Sequence, residues 1–159
     1  MFKYDHRDWS GNYYSEAWDS YSATSDRLLK HIVEKKVRNP IVLSGDMHSG
    51  WASNLESNFY DSLTSDIIGA EFTSTSISSG LSSGWKTTYQ NALPYNKHVK
   101  HYEGRQGGYL LCTLNNTQWT TMYVLADSLT DPDNTSASIS KILYVNAKDS
   151  GSSGVVLPT

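Results

Sequence analysis

The clearest pattern along the chain is an apolar stripe that begins after residue 22. Aliphatic residues recur there at three- and four-residue spacing, as on the buried face of a helix: Leu28, Leu29, Ile32, Val33 and Val37. Ser22 is a candidate N-cap, and Asp26 is expected in the first turn, where negative charge suits the helix dipole. Because the residue before a proline disfavours helix, the pattern predicts a helix that ends by Asn39-Pro40.

A short apolar run follows this helix directly. Ile41-Val42-Leu43 is stopped at Gly45, which predicts a strand buried on both faces. A helix, a short turn and a buried strand are typical of a layered α/β sheet.

After residue 50 the pattern favours β-structure. Strands are expected at residues 67–75, 109–114, 119–126 and 139–145, and the turn-forming residues 115–118 join the middle two as a hairpin. A Ser/Gly-rich loop is expected at residues 76–84. The chain shows no repeat and no internal boundary, so we expect one domain over residues 1–147 and a flexible Ser/Gly-rich tail over residues 148–159.

Composition excludes several classes of function. The net charge is −3, with 13 Lys and Arg against 16 Asp and Glu, and no basic run offers phosphates a cluster of cations. We therefore expect no nucleic-acid binding. No window is apolar for long enough to cross a membrane, and the first residues lack the apolar core of a signal peptide. Only 18% of residues are charged while hydroxyl side chains are abundant, a composition common in extracellular proteins.

The strongest candidate for chemistry follows the predicted buried strand. Gly45-Asp46-Met47-His48 places a carboxylate and an imidazole two residues apart at a carboxyl end, where open α/β sheets bind ligands. In an extended segment the two side chains would project to the same side. Such a pair suits two neighbouring metal ions, or one metal and a phosphate. The alternative is structural, with Asp46 closing a turn and His48 a satisfied polar residue.

Other candidate groups are weaker. His98 and His101 are three residues apart, so on a strand they would point to opposite faces. Cys112 is the single cysteine, which excludes an internal disulfide, and its apolar setting favours a buried inert thiol. Five tryptophans offer a sugar-stacking surface as an alternative to core positions: Trp9, Trp18, Trp51, Trp85 and Trp119.

Five sequence blocks, taken together, suggest a family. They lie at residues 17–21, 27–29, 39–52, 71–80 and 96–109, and include Ala17-Trp18-Asp19-Ser20-Tyr21 and the Gly45-Asp46-Met47-His48 block. In order and spacing they resemble the C-terminal part of the alkaline phosphatase D (PhoD-like) family of metallophosphatases, over roughly residues 16–147. The resemblance implies a calcineurin-like or purple acid phosphatase-like β-sandwich flanked by helices.

The resemblance also implies an activity and a metal site. Members of this family are typically exported enzymes that hydrolyse phosphomonoesters and phosphodiesters with a metal-bound hydroxide, using iron and calcium. Carried over, the catalytic metal ligands would be Asp46 for the calcium-type ion and His48 for the iron-type ion. The loop Thr75–Gly80 would line the pocket.

This chain departs from the family pattern before its tryptophan block. Family members carry further ligands upstream, namely an aspartate with a nearby tyrosine, a cysteine and an asparagine. Here the short segment before that block holds only Asp5, Asp8 and Asn12, at spacings that do not match. We therefore expect the chain to be the C-terminal part of a secreted phosphatase, inactive without the missing N-terminal portion of the same domain.

Two other functions stay open at this point. One is a non-catalytic β-rich module that binds a glycan or a protein partner. The other is an assembly in which a second chain donates the missing ligands.

Overall fold

Two β-sheets form the centre of the molecule, and two α-helices lie against one of them. The computed structural model describes residues 18–58, 65–131, 133 and 135–155. The α-helices are Ser22–Glu34 (α1) and Ser83–Ala92 (α2), with short 3₁₀ helices at Trp18–Tyr21 and Leu93–Tyr95. The strands are Ile41–Ser44 (β1), Gly50–Glu56 (β2), Ile67–Thr73 (β3), Val99–Glu103 (β4), Gly108–Leu114 (β5), Gln118–Ala126 (β6) and Ala137–Asn146 (β7). The mixed α/β class predicted from the sequence is confirmed.

The first sheet has four strands in the order β1-β3-β2-β4. β1 runs parallel to β3, whereas β2 is antiparallel to both β3 and β4. The second sheet is an antiparallel meander in the order β5-β6-β7. Its first turn is the predicted hairpin, in which the Oδ1 of Asn115 accepts hydrogen bonds from the backbone N–H of Thr117 and of Gln118, each at 2.9 Å.

The two sheets share one core. Small and aromatic residues of the first sheet meet large residues of the second in a cluster formed by Ala52, Ala70, Phe72, Tyr123, Leu143 and Val145. The helices lie against β2 and β3, since Leu29 and Ile32 of α1 pack with Leu55 and Ile68. α2 contributes Tyr89 and Ala92, which pack with Trp51. β2 is therefore buried almost along its whole length.

α1 differs from its sequence prediction at both ends. The helix begins at Ser22 itself with Tyr21 in the cap position, no side chain caps it, and its first turn holds no acidic residue. It ends at Glu34, several residues before the proline, and the chain then reaches β1 through left-handed backbone at Lys36 and Asn39.

The prediction that β1 is buried on both faces was wrong. β1 lies at an edge of the first sheet, and the side chain of Leu43 is 57% exposed. An apolar sequence shows that a strand can be buried, but the order of strands in the sheet decides whether it is.

The Ser/Gly-rich segment after β7 lies against the first sheet, although the sequence favoured a flexible tail. The backbone N–H of Val155 donates to Asn54 Oδ1 at 2.8 Å. The side-chain amide of Asn39 donates from Nδ2 to the Lys148 carbonyl and accepts at Oδ1 from the Lys148 N–H. Ser152 is buried. Hydrogen bonds at Lys148 and Val155 therefore tie this segment to Asn39 and Asn54.

No helix in the described part of the chain is both long enough and apolar enough to span a lipid bilayer.

Candidate functional site

Asp46 and His48 lie on the loop of residues 45–49 that joins β1 to β2, which we call the site loop. Both side chains are exposed, and both residues have left-handed backbone, with φ values of 71° and 51°. The segment is therefore bent, and the expectation of an extended backbone was wrong. Non-glycine residues seldom adopt this conformation, which costs of order 1–2 kcal/mol each, so the surrounding structure must hold it.

Buried hydrogen bonds hold the second half of the site loop. Ser49 Oγ donates to the backbone carbonyl of Met47 at 3.0 Å and accepts from the indole Nε1 of Trp51 at 2.8 Å. The hydroxyl of Tyr123, in the second sheet, donates to the backbone carbonyl of Trp51. His48 thus lies between two residues, Met47 and Ser49, that are tied to the core.

A group of hydrogen-bonded polar side chains holds the end of β1, where the site loop begins. Ser44 Oγ lies 2.7 Å from Glu71 Oε1 and 2.8 Å from Thr73 Oγ1, and both partners belong to β3 and are buried. The backbone N–H of Ser74 donates to the carbonyl of Ser44 at 2.9 Å. These hydrogen bonds tie the end of β1 to β3 directly before the site loop.

The residue between Asp46 and His48 points to an aromatic cluster. Met47 is half-buried and packs against the group formed by Trp51, Tyr89 and Ala92. The Trp51 ring contacts Tyr89 edge-on at 5.1 Å and Tyr102 at 4.3 Å between centroids. This anchor separates the two polar side chains from the core and leaves both on the surface.

Three loops meet at this end of the first sheet, which we call the site end. Ser44 lies beside Thr73 and Gly50 beside Glu103 in the strand register, so the site loop lies at the same end as residues 74–80 and 104–107. The last two are joined by hydrogen bonds, from Gly108 N to the Ser76 carbonyl at 3.0 Å and from Thr75 Oγ1 to the Gln106 carbonyl at 3.1 Å. The loop Thr75–Gly80, predicted to line the pocket, therefore lies at the same end as Asp46 and His48.

A carboxylate organises the third loop. Glu103 Oε1 accepts from the backbone N–H of Arg105 at 2.6 Å and from that of Gln106 at 3.2 Å. Burial raises the pKa of the neighbouring Tyr102 hydroxyl to about 12, and the charge of Glu103 adds to the shift. The guanidinium of Arg105 is left as an exposed positive charge at the site end.

His101 in β4 and His98 just before this strand have different surroundings. His101 packs edge-on against Tyr123 at 4.6 Å between ring centroids, and burial lowers its pKa, with Lys141 adding to the shift and Glu103 opposing it. His98 precedes β4, and its carbonyl accepts the backbone N–H of Asn54 at 2.9 Å. His101 is therefore a half-buried residue packed against Tyr123.

Three of the tryptophans pack against other aromatic rings, and the single cysteine is half-buried. Trp51 is 1% exposed, Trp85 packs with Tyr89, and Trp119 contacts Phe72, so these three rings form no common exposed surface. Trp9 lies outside the described residues. Cys112 was expected to be a buried thiol; it is half-buried, with its Sγ 3.8 Å from Thr121 Oγ1.

The site loop offers the kinds of donor atom that suit iron and calcium, the metals implied by the family resemblance, but it offers too few of them. A carboxylate suits a hard cation such as calcium, and an imidazole suits iron. Within the residues that the structure describes, however, no three His, Cys, Asp or Glu side chains are grouped closely enough to hold a metal ion. Asp5, Asp8 and Asn12 lie outside those residues. Since metal sites need several protein ligands per ion, a metal site that included Asp46 and His48 would need further donors besides these two.

The sequence pattern predicts Asp46 and His48 as candidates but does not identify the residues that position them. Trp51 could have been noticed, because it follows the site loop in the sequence. Nothing in the sequence connects Tyr123 to this loop, since 72 residues separate it from Trp51.

Comparison with known proteins agrees with the resemblance drawn from the sequence. The family described as PhoD-like phosphatase matches residues 1–123. Alkaline phosphatase D of Bacillus subtilis (strain 168) is 36% identical over 121 residues, which make up 76% of this chain and 20% of that protein. A solved structure of PhoD superposes with a TM-score of 0.75 at 30% identity, covering 90% of this chain and 26% of the PhoD chain. This chain thus spans about a fifth of its curated relative, and it belongs to the PhoD-like phosphatase family.

Proposed function

We propose that this chain forms part of a metal-dependent phosphatase that hydrolyses phosphomonoesters and phosphodiesters, and that Asp46 and His48 are two of its metal ligands. The observation that carries the proposal is the exposed pair on one short loop, held in left-handed backbone by buried hydrogen bonds. Residues held in sparsely populated backbone conformations cluster at active sites and ligand-binding sites, and here both such residues carry metal-binding donor atoms. Membership of the PhoD-like family supplies the type of reaction.

The roles of the two residues follow from their donor atoms. The carboxylate of Asp46 would bind the calcium-type ion, and the imidazole of His48 would bind the iron-type ion. When bound, such ions polarise a phosphoryl group and supply Lewis acidity. The chain itself contributes the rigid loop, and Arg105 places a positive charge at the same end of the sheet, where a phosphate anion would be attracted.

The proposal also covers the location of the protein and the part of the phosphatase domain that it needs as a partner. The portion of the phosphatase domain that these 159 residues do not contain would complete the fold as a metallophosphatase β-sandwich flanked by helices. The complete protein would work outside the cytoplasm. The remaining metal ligands would come from that portion. Alone, the chain would be inactive, because two donors do not hold a metal centre.

The test uses this chain co-expressed with the part of the Bacillus subtilis enzyme outside the matched segment, which we call the remainder. Hydrolysis of p-nitrophenyl phosphate and bis(p-nitrophenyl) phosphate is measured, together with metal content by mass spectrometry. We expect the complex to turn over and to lose both activity and metal with Asp46→Asn or His48→Ala. His31→Ala, which changes an exposed histidine on α1, is the matched control and should keep both. Full activity and full metal content in His48→Ala would overturn the assignment.

A further inference from the structure

Arg105 lies at the site end, on the chain segment next to the one that carries His48. β2 and β4 are antiparallel neighbours, and Gly50 at the start of β2 pairs with Glu103 at the end of β4. The two backbones are close at this pair, since a Cβ on Gly50 would lie 3.5 Å from the Cβ of Glu103. His48 and Arg105 are each two positions beyond the pair. The register therefore places these two exposed residues on neighbouring segments at the same end of the sheet.

Hydrogen bonds hold the loop that carries Arg105 from both sides. Glu103 Oε1 accepts from the backbone N–H of Arg105 at 2.6 Å, and the side-chain amide of Gln106 donates to the Ala126 carbonyl at 3.2 Å. The N–H of Ala126 donates in turn to the Gly107 carbonyl at 2.9 Å. The backbone at Arg105 is thus held without the use of its side chain. A fixed backbone lowers the entropy that is lost when the side chain binds a ligand.

The guanidinium of Arg105 is a cation without a counter-charge of its own. In the three loops of the site end, Asp46 and Arg105 are the only Asp, Glu, Lys or Arg residues. Within the part of the chain that the structure describes, the guanidinium pairs with no carboxylate, and Glu103 accepts backbone N–H groups instead. A guanidinium presents five N–H donors in a planar fork that matches the oxygens of a phosphate group.

Phosphomonoesters and phosphodiesters differ in what they present to such a cation. Above its second pKa of about 6, a monoester group carries nearly two negative charges on three terminal oxygens. A diester carries one negative charge on two terminal oxygens. Because Coulomb attraction grows with the charge of the ligand, a fixed cation favours the monoester over the diester.

We propose that Arg105 binds the phosphoryl group of the substrate and that its charge makes the enzyme prefer phosphomonoesters to phosphodiesters. The inference rests on the proposed function, which supplies a phosphoester substrate but no preference between the two classes. Arg105 contacts the terminal oxygens through its guanidinium, while Glu103 holds its backbone. A diester, with one charge fewer, gains about half of the attraction that a monoester gains at the same distance.

The first test needs neither a metal ion nor a second chain. The side-chain Nε–H resonance of Arg105, assigned by its loss in Arg105→Gln, is followed by NMR at constant ionic strength. The chain is titrated with inorganic phosphate or with dimethyl phosphate at about pH 8, where phosphate is mostly dianionic. We expect phosphate to shift the resonance saturably and to bind at least threefold more tightly than dimethyl phosphate. A resonance that responds to neither ligand, or equally to both, would overturn the proposal.

The second test measures kcat/KM for p-nitrophenyl phosphate and bis(p-nitrophenyl) phosphate in the complex with the remainder. Arg105→Gln removes the charge and should lower kcat/KM about tenfold for the monoester and less than threefold for the diester. Lys97→Gln, the matched control, removes an exposed positive charge before the opposite end of β4 and should leave both values unchanged. Arg105→Lys keeps the charge and should keep most of the preference. Urea unfolding midpoints verify that the three variants fold.

The kinetic results separate this inference from the proposed function. An equal loss for the two esters in Arg105→Gln, or no loss for either, would overturn the role of Arg105 in the preference. The proposed function fails separately, if the complex hydrolyses neither ester while the chain alone still binds phosphate through Arg105.

Discussion

Ser49 joins the site loop to the buried indole of Trp51, and replacing it with alanine tests whether the loop is held as described. Ser49 is fully buried, and its hydroxyl makes two hydrogen bonds, at 3.0 Å to the Met47 carbonyl and at 2.8 Å from the Trp51 indole. Ser49→Ala removes both bonds and leaves the indole N–H without this acceptor in a site that excludes water. A buried donor that loses its partner costs about 1–3 kcal/mol. We therefore expect the free energy of unfolding to fall by about 2 kcal/mol.

Ser53 provides a matched control on the following strand. It is 2% exposed, but its Oγ has no hydrogen-bond partner. Ser53→Ala removes a buried polar atom that gains nothing in the folded state, so stability should be unchanged or increase by up to about 1 kcal/mol.

The assay is urea unfolding of the two variants beside the parent chain, followed by tryptophan fluorescence. With a denaturant slope of about 2 kcal/mol/M, the loss expected for Ser49→Ala lowers the midpoint by about 1 M. The indole N–H resonance of Trp51 should also shift in this variant alone. Equal midpoints for the two variants, within about 0.2 M by the same slope, would refute the hydrogen-bonded anchor.

Two further predictions concern the core beneath the site end. Burial lowers the pKa of His101 from its usual 6.5, so the unfolded chain binds the extra proton first, and stability should fall as pH drops below about 6.5. His101→Gln should flatten this pH dependence in urea midpoints measured between pH 5 and 7, whereas the exposed His31→Gln should not. Equal slopes of midpoint against pH in the parent chain and in His101→Gln would contradict the burial of His101. A Cβ on Gly108 would lie 2.1 Å from the Val124 carbonyl oxygen, so Gly108→Ala should cost about 2–3 kcal/mol and lower Tm by at least about 5 °C. Nothing lies within 4 Å of a Cβ on Gly80, and an equal Tm for the two alanine variants would show that the β5–β6 contact is not as close as described.

The elements that the sequence predicted well are those encoded by local pattern. The periodic stripe of α1 and the turn residues of the β5–β6 hairpin act within a few positions, so they can be recognised without a structure. Helix α2 was missed because Gly84, Thr87 and Thr88 are poor helix formers. Its buried residues Tyr89 and Ala92 stabilise the helix only through packing on β2, which a local pattern does not show.

In the candidate site too, the local sequence pattern predicts some features and not others. A carboxylate and an imidazole after an apolar strand identify Asp46 and His48 from the sequence alone. The left-handed backbone at both residues could not be predicted, because it depends on Ser49, Trp51 and the distant Tyr123. The edge position of β1 depends on the pairing of β3 with both β1 and β2, which strand order in the sequence does not determine.

Anomalous X-ray scattering from crystals of the chain in complex with the remainder tests the central claim most directly. Data collected at the iron edge and at longer wavelength locate each metal independently of the protein. We expect an iron-type ion bonded to the His48 imidazole, at the distance of about 2.0–2.1 Å that imidazole nitrogens take to a transition-metal ion such as zinc, and a calcium-type ion about 2.3–2.6 Å from the Asp46 carboxylate. Fully occupied metal ions bound without contact to either side chain would contradict it.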